Sequence, residues 1–161
     1  MRDITLCHPR LQKLITQLTS ECANAGLPIK IGESFRSVAE QDALYAQGRT
    51  QPGSIVTNAR GSSYSSQHQW GIAADFYRSD GKGAYNEAGD YFNRVGAIAK
   101  QLGLAWGGDW KSLKDNPHFQ WDGRGKYTSA MVRAGKYPPI MPRYVEVKQS
   151  MTKDEAKAIL K

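Results

Sequence analysis

The chain holds three histidines, and two of them stand close to carboxylates in segments rich in aromatic and small residues. His68 lies in Ser66-Gln67-His68-Gln69-Trp70-Gly71-Ile72-Ala73-Ala74-Asp75, and His118 in Asp115-Asn116-Pro117-His118-Phe119-Gln120-Trp121. His8, in front of Pro9, has no acidic or histidine neighbour at ligand spacing and reads as structural. On a continuous helix, seven residues would set His68 and Asp75 about 10.5 Å apart. That is too far for two side chains that each need bonds of about 2 Å to one ion, so the chain must bend between them. Gly71 is where a bend is easiest, and Ala73 and Ala74 are small enough to allow close approach. In an extended exit segment Asp75 faces the site while Phe76 faces the core. Pro117 bars an ordinary helix interior and favours extended backbone before it. His118 and Gln120 then share one face of a strand, with Phe119 and Trp121 on the other. Asp115, three residues earlier, can reach the same cleft from its loop.

Two histidines, one carboxylate and an open position for water are the makings of a catalytic zinc site. Zinc lowers the pKa of its bound water from about 15.7 to about 7, and a second, non-ligating carboxylate can take the proton. Asp75 fits the ligand role and Asp115 that of the base. By spacing alone, the same residues read equally well as separate core or surface histidines with aspartates that cap turns.

The elements that must position these groups are legible from periodicity. Leu11, Leu14, Ile15, Leu18 and Cys22 recur at helical spacing, predicting a helix over 9–25 with Pro9 in its first turn and Gly26 at its stop. Alternation over 29–35 predicts a short strand. Ser37 with Glu40 three residues on is a capping box, opening a second helix that stops at Gly48. Residues 49–67 turn to Gly, Ser, Thr, Asn and Pro, an exposed loop long enough to carry function. Phe92, Val95, Ile98, Ala99 and Leu102 predict a third helix over 91–102, and short strands are expected at 104–106 and 118–121. Pro138-Pro139-Ile140-Met141-Pro142 reads as a stiff linker. The expected fold is α+β: a small, mainly antiparallel sheet packed with about three helices, with the site in a cleft beside the sheet. Residues 1–137 form the expected catalytic domain, and 138–161 a Pro-rich linker and tail, the start of a wall-targeting region.

Composition narrows the function classes. The 161 residues are 40% hydrophobic and 23% charged, with a net charge of +7 and a pI near 9.5, which fits one packed domain and excludes disordered, collagen-like and coiled-coil classes. No window approaches the roughly 18–20 apolar residues of a membrane span, and the N-terminus lacks the apolar core of a secretory signal. The basic excess favours a polyanionic partner, but no block of five or more Lys/Arg occurs, which argues against a nucleic-acid arm. Residues 138–161 hold five basic and three acidic residues, leaving +5 on residues 1–137. Composition leaves nucleic acid, an anionic lipid surface and the phosphate-rich polymers of a bacterial wall open as partners. Cys7 and Cys22 lack metal or disulfide spacing and read as buried thiols flanking the first helix.

Ser66-x-His68-x-x-Gly71-x-Ala73-x-Asp75, followed some forty residues later by Asp115-x-x-His118, resembles the zinc motif pair of one peptidase family. That family includes D-alanyl-D-alanine carboxypeptidases, the VanX and VanY dipeptidases and carboxypeptidases, and phage L-alanyl-D-glutamate endolysins. The run from Ser34 through Arg36 to Arg49 is similar to the family's Arg-bearing segment, and Trp106-Gly107-Gly108-Asp109-Trp110 to the loop before its last ligand. The likeness covers roughly residues 30–121.

The resemblance implies one zinc ion held by His68, Asp75 and His118, with Asp115 as general base. It implies that Arg36 holds or polarises the substrate carbonyl, and that Ser66 and Gln41 contact substrate. Asp109 is a rival for the base, but the family's three-residue offset before the histidine points to Asp115. Asp rather than Glu at that position resembles the endolysin branch, which cuts between L-alanine and D-glutamate in the stem peptide of peptidoglycan. One departure is Gln120, where many relatives carry an acidic residue; a neutral amide can still orient His118. The expected protein is a monomeric zinc peptidase of bacterial peptidoglycan that neither enters a membrane nor binds nucleic acid. It is expected to be made in the host cytoplasm and released to the wall through a holin-type lesion. The alternatives on the same motifs are a D-alanyl-D-alanine carboxypeptidase or dipeptidase, and a non-catalytic wall-binding zinc module.

Overall fold

The structure, a computed structural model, describes residues 2–122 together with 128, 130 and 131. The tail predicted at 138–161 and the end of the catalytic domain at 137 lie outside the described residues. Helix α1 (Pro9–Asn24) starts at Pro9, and His8 caps it by accepting the Arg10 N–H on Nδ1 at 3.0 Å. Its buried stripe of Leu11, Leu14, Ile15, Leu18 and Cys22 is the one the periodicity requires. Strand β1 (Ile29–Glu33) follows, then α2 (Val38–Ala46), with the Ser37 and Glu40 capping box formed in both directions. Strand β2 (Ala73–Arg78), α3 (Tyr91–Gln101), β3 (Ala105–Trp106) and β4 (His118–Gln120) complete the order. The expected stop of α2 at Gly48 moves back to Ala46, and Gly48 takes a left-handed φ of 78° in the turn that follows.

The four strands form one antiparallel sheet in the order β1-β2-β4-β3. On its core face Ala74, Phe76 and Phe119 are fully buried against α1 and α3, together with Leu11, Leu18, Phe92 and Val95. Phe76 stacks between Phe119 at 5.8 Å and Phe92 at 5.3 Å. Asp75 and Tyr77 alternate with these residues and are only partly buried, as a half-exposed strand requires. Cys7 and Cys22 are buried free thiols, each pushed up to about 11 by burial, as expected of inert core cysteines. His8 is structural as well: it lies 4.5 Å from the Trp121 ring, and burial holds its pKa down near 4.

Trp106 locks the last strand pair to α3. A Cβ on Gly96 of α3 would sit 2.4 Å from the Trp106 ring, and one on Gly108 would sit 2.1 Å from it, so the indole rests directly on the backbone of both glycines. Its Nε1 donates to the Asn116 carbonyl at 2.8 Å, pinning the loop that leads into β4. No helix of the described residues is long and apolar enough to cross a membrane. Residues 2–122 hold thirteen Lys/Arg against twelve Asp/Glu. The charge expected on the catalytic part therefore falls almost wholly on residues 123–137, which carry +4 and lie outside the described residues. Gly96→Ala should overpack this contact and lower stability by about 1–3 kcal/mol, read as a lower urea midpoint at unchanged m-value.

Candidate metal centre and its cleft

His68 sits in a short 3₁₀ turn, Gln67–Trp70, that ends on Gly71 in a left-handed conformation (φ 69°). This is the bend the spacing demands, and it delivers the chain into β2 with Asp75 on the open face. Backbone bonds hold the turn in place: Arg36 N–H donates to the His68 carbonyl at 3.1 Å, and His8 N–H to the Gly71 carbonyl at 2.8 Å. Across the sheet Asp75 pairs directly with His118 of β4. Two histidines and one carboxylate far apart in sequence are thus brought together by one glycine bend and one strand register.

Their ligating atoms all lie within 4.8 Å of one another. Asp75 Oδ1 is 3.4 Å from His68 Nε2 and 3.3 Å from His118 Nδ1. Bonds of about 2.0–2.1 Å in a tetrahedron give ligand-to-ligand edges of about 3.3 Å, so the spacing fits a zinc-sized ion. The outer nitrogens of both rings are already engaged. His68 Nδ1 lies 2.8 Å from the Ser34 carbonyl, which can only accept, so this nitrogen carries the proton and Nε2 turns a lone pair inward. His118 Nε2 lies 2.8 Å from Gln120 Oε1, and while the amide presents that oxygen Nε2 carries the proton and Nδ1 keeps a lone pair. Asp75 Oδ1 is buried without a hydrogen-bond partner. A carboxylate oxygen and two imidazole lone pairs pointing at one spot are what a cation requires, and burial makes the arrangement costly without one.

The same groups are coupled electrostatically, with imidazole N–H or positive charge facing Asp75 when no cation does. Burial alone would raise the Asp75 pKa, but the two imidazoles facing it outweigh that and hold the carboxyl well below its usual range. Burial opposes charge on His118, yet Asp75 beside it raises its pKa. Asp115, which is not one of the three converging groups, is shifted the other way: burial and then the Asp75 charge push its pKa up, against the pull of His118, His68 and Arg36. Carboxylates with opposed shifts in one cleft are the mark of divided roles. Asp115 is fixed by its N–H to the Gly107 carbonyl at 3.1 Å, while its own carbonyl accepts the His118 N–H at 3.1 Å. A Cβ on Gly107 would lie 2.4 Å from that Asp115 carbonyl, so only glycine fits there.

The cleft has a volume of about 720 Å³ and is lined by Arg36, Ser66, His68, Asp75, Asp115 and His118, among others. Six of the seven residues singled out in the sequence therefore share one cavity. The seventh, Gln41, does not reach it. Its side chain is fully buried behind Arg36, where Oε1 accepts from Arg36 Nη1 at 2.8 Å and Nε2 donates to the Ala59 carbonyl at 2.8 Å and to Thr57 Oγ1 at 3.3 Å. In this packing the amide is spent on holding Arg36 and the 57–59 loop. Arg36 Nε is buried and unpartnered among the described residues. Asp109, the rival base, pairs with Lys100 at 3.0 Å on the surface and does not line the cleft.

Several cleft residues escape sequence reasoning. The Trp110 ring lies 4.9 Å from that of His118. Val56 and Leu113, which also line the cleft, are 57% and 80% exposed. Leu113 also takes a left-handed φ of 53°. Apolar residues in a polar loop carried the only available signal, and loop composition does not say which way they face.

A sequence model described as D-alanyl-D-alanine carboxypeptidase matches residues 60–121. The chain is 44% identical over 123 residues to the peptidoglycan L-alanyl-D-glutamate endopeptidase CwlK of Bacillus subtilis, covering 70% of this chain and 72% of that protein. It is 35% identical over 104 residues to the L-alanyl-D-glutamate peptidase of Listeria phage A118, covering 62% of this chain and 32% of that one. Among solved structures, the L-Ala D-Glu endopeptidase ChiX of Serratia marcescens superposes with a TM-score of 0.57 at 25% identity, over 73% of this chain and 82% of that chain. With the His-Asp-His cluster and the motif order of both halves, this likeness makes the chain a member of the D-alanyl-D-alanine carboxypeptidase family of metallopeptidases.

Proposed function

We propose that this protein is a zinc-dependent endopeptidase that cuts the L-alanyl-D-glutamate bond in the stem peptide of bacterial peptidoglycan. The observation that carries this reading is the convergence of His68 Nε2, Asp75 Oδ1 and His118 Nδ1 beside the separately tuned Asp115. The likeness to CwlK and the phage A118 peptidase supports the choice of bond. The reading assigns one ion to the three ligands, a monomeric enzyme, and a catalytic unit over 1–137. It also has the protein reach the wall through a membrane lesion.

When bound, the zinc supplies a Lewis acid and acidifies a water to a pKa of about 7. Asp115 accepts a proton from the attacking water and later returns it to the leaving amine of D-glutamate, so one carboxyl serves as base and then as acid. Its upward-shifted pKa improves the second task without removing the first. Arg36, held by Gln41, faces the negative charge that develops on the alanyl carbonyl oxygen. Because its position is fixed by a buried amide, little reorganisation is needed as charge appears. Ser66 lines the same cavity at the mouth of the turn bearing His68 and contacts the peptide backbone there. His68 and His118 keep their inward lone pairs through their outer hydrogen bonds, and Trp110 shields the His118 ring from solvent.

Three outcomes are expected. Zinc added to chelator-treated protein should raise Tm, since an ion bound only by the folded state stabilises it, and His68→Ala should abolish the rise. Digestion of purified peptidoglycan should expose new N-terminal D-glutamate, detected by muropeptide mass spectrometry; release of free D-alanine instead would assign the carboxypeptidase activity that the family description names. Asp115→Asn should keep zinc and lose about 10²–10⁴ in kcat. The base must be ionised, so kcat/KM of the wild type falls as pH drops through the Asp115 pKa. That acid limb should be absent from the residual activity of the variant.

A further inference from the structure

We propose that Asp122 is a positioning residue that fixes the tautomer of His118 through the Gln120 side-chain amide. The inference rests on His118 being a metal ligand. The two histidines of the cluster have their tautomers set in different ways. For His68 the partner is a backbone carbonyl, which accepts and cannot donate, so Nδ1 must hold the proton. For His118 the partner is a primary amide, which offers an acceptor at one end and donors at the other. A glutamine alone does not decide which ring nitrogen is protonated.

The decision is made one step further out. Gln120 Nε2 donates to Asp122 Oδ1 at 2.5 Å. A carboxylate only accepts, so it holds the NH₂ end toward itself and turns Oε1 to His118 Nε2 at 2.8 Å. The strand pleat places 118 and 120 on one face of β4, and Asp122 stands just past the strand end on the solvent side. The chain Asp122–Gln120–His118 therefore runs from exposed surface to buried ligand with one direction of hydrogen bonding throughout.

There is a competing arrangement for it to oppose. Asp75 Oδ1 has no hydrogen-bond donor and lies 3.3 Å from His118 Nδ1. In the metal-free protein, moving the ring proton from Nε2 to Nδ1 would give Asp75 a donor, and reversing the Gln120 amide would accommodate the change. That tautomer points a proton at the place an ion must take. Binding would then require the proton to return to Nε2 and the amide to turn back, so affinity falls in proportion to the population of the wrong form. Asp122 opposes the reversal, because a turned amide would set its carbonyl oxygen against the carboxylate.

The test uses the whole chain and reads the apo protein first. At a pH where His118 is neutral, long-range proton–nitrogen correlation spectra of the metal-free wild type should show His118 protonated on Nε2, and Asp122→Ala should shift it toward Nδ1 while leaving His68 on Nδ1. Zinc affinity by chelator competition should fall roughly ten- to a hundredfold in Asp122→Ala, the range for lost outer partners of a ligand. Gln120→Glu placed on the Asp122→Ala background should restore most of it, since a carboxylate at 120 accepts from Nε2 without help. A merely structural loss at the strand end would not be recovered this way. An unchanged tautomer with unchanged affinity in Asp122→Ala, or a loss that Gln120→Glu does not recover, overturns the proposal. Failure of the wild type to bind zinc would instead overturn the metal reading, and the apo spectrum would still decide the tautomer question.

Discussion

The direct pairing of Asp75 with His118 across β2 and β4 is the constraint on which the rest of the site depends. Strand side chains alternate with a period of two, so a slip of one residue would turn both groups into the core and bring Ala74 or Phe119 to the open face. What prevents the slip is apolar: Ala74, Phe76 and Phe119 are wholly buried, and Phe76 stacks on both Phe119 and Phe92. The register of the core face thus sets the geometry of the polar face. The third member of the cluster is then added by the left-handed turn at Gly71, which brings His68 over the same spot.

The electrostatic consequence is a buried point where electron density converges. Each group could have been satisfied locally by rotating a ring or swapping a tautomer. The structure blocks this by occupying the outer nitrogens with Ser34 and Gln120. Polar groups held unsatisfied in this way cost folding free energy, of the order of 1–3 kcal/mol for each neutral group, and such costs persist where function maintains them. The rigid surroundings follow from the same need. Trp106 packed on two glycines, with its indole N–H on the Asn116 carbonyl, holds the loop through Asp115 with no room for adjustment.

Much of this was legible in the sequence, for identifiable reasons. The stripe on α1, the Ser37–Glu40 box and the apolar face of α3 are local patterns that tertiary packing reinforces. The bend at Gly71 followed from the reach of two side chains, and the faces of β4 from Pro117 and simple alternation. The strand character of β2 was readable only from Asp75 onward, because Ala73 and Ala74 carry little β propensity and gain their place from burial and from pairing with Gln120 and Phe119 of β4. The placement of Gln41 was not legible for a related reason. α2 has no strong apolar stripe, so its sequence does not announce that its buried face receives a glutamine whose hydrogen bonds all go to Arg36 and the 57–59 loop. The sum of charge over the chain does not say which surface holds it: residues 2–122 are close to neutral, and residues 123–137 carry most of the charge expected on residues 1–137.

Gln41 and Gln120 show one device used twice. Each is an amide placed beside a side chain of the cleft, and each joins that side chain to a further group, Gln41 to the 57–59 loop that walls the cleft and Gln120 to Asp122. An amide suits this position because it donates and accepts at once, so it can fix the direction of a bond as well as its length. An acid at either place would add charge beside Arg36 or His118 and alter the balance that keeps Asp75 ionised while Asp115 is shifted upward. Two neutral supports therefore leave the electrostatics of the cleft to the charged groups that line it. What remains unmet at the centre is the buried Asp75 Oδ1, and at the rim the Arg36 Nε. One calls for a cation and the other for an acceptor, the two halves of what polarises a peptide carbonyl.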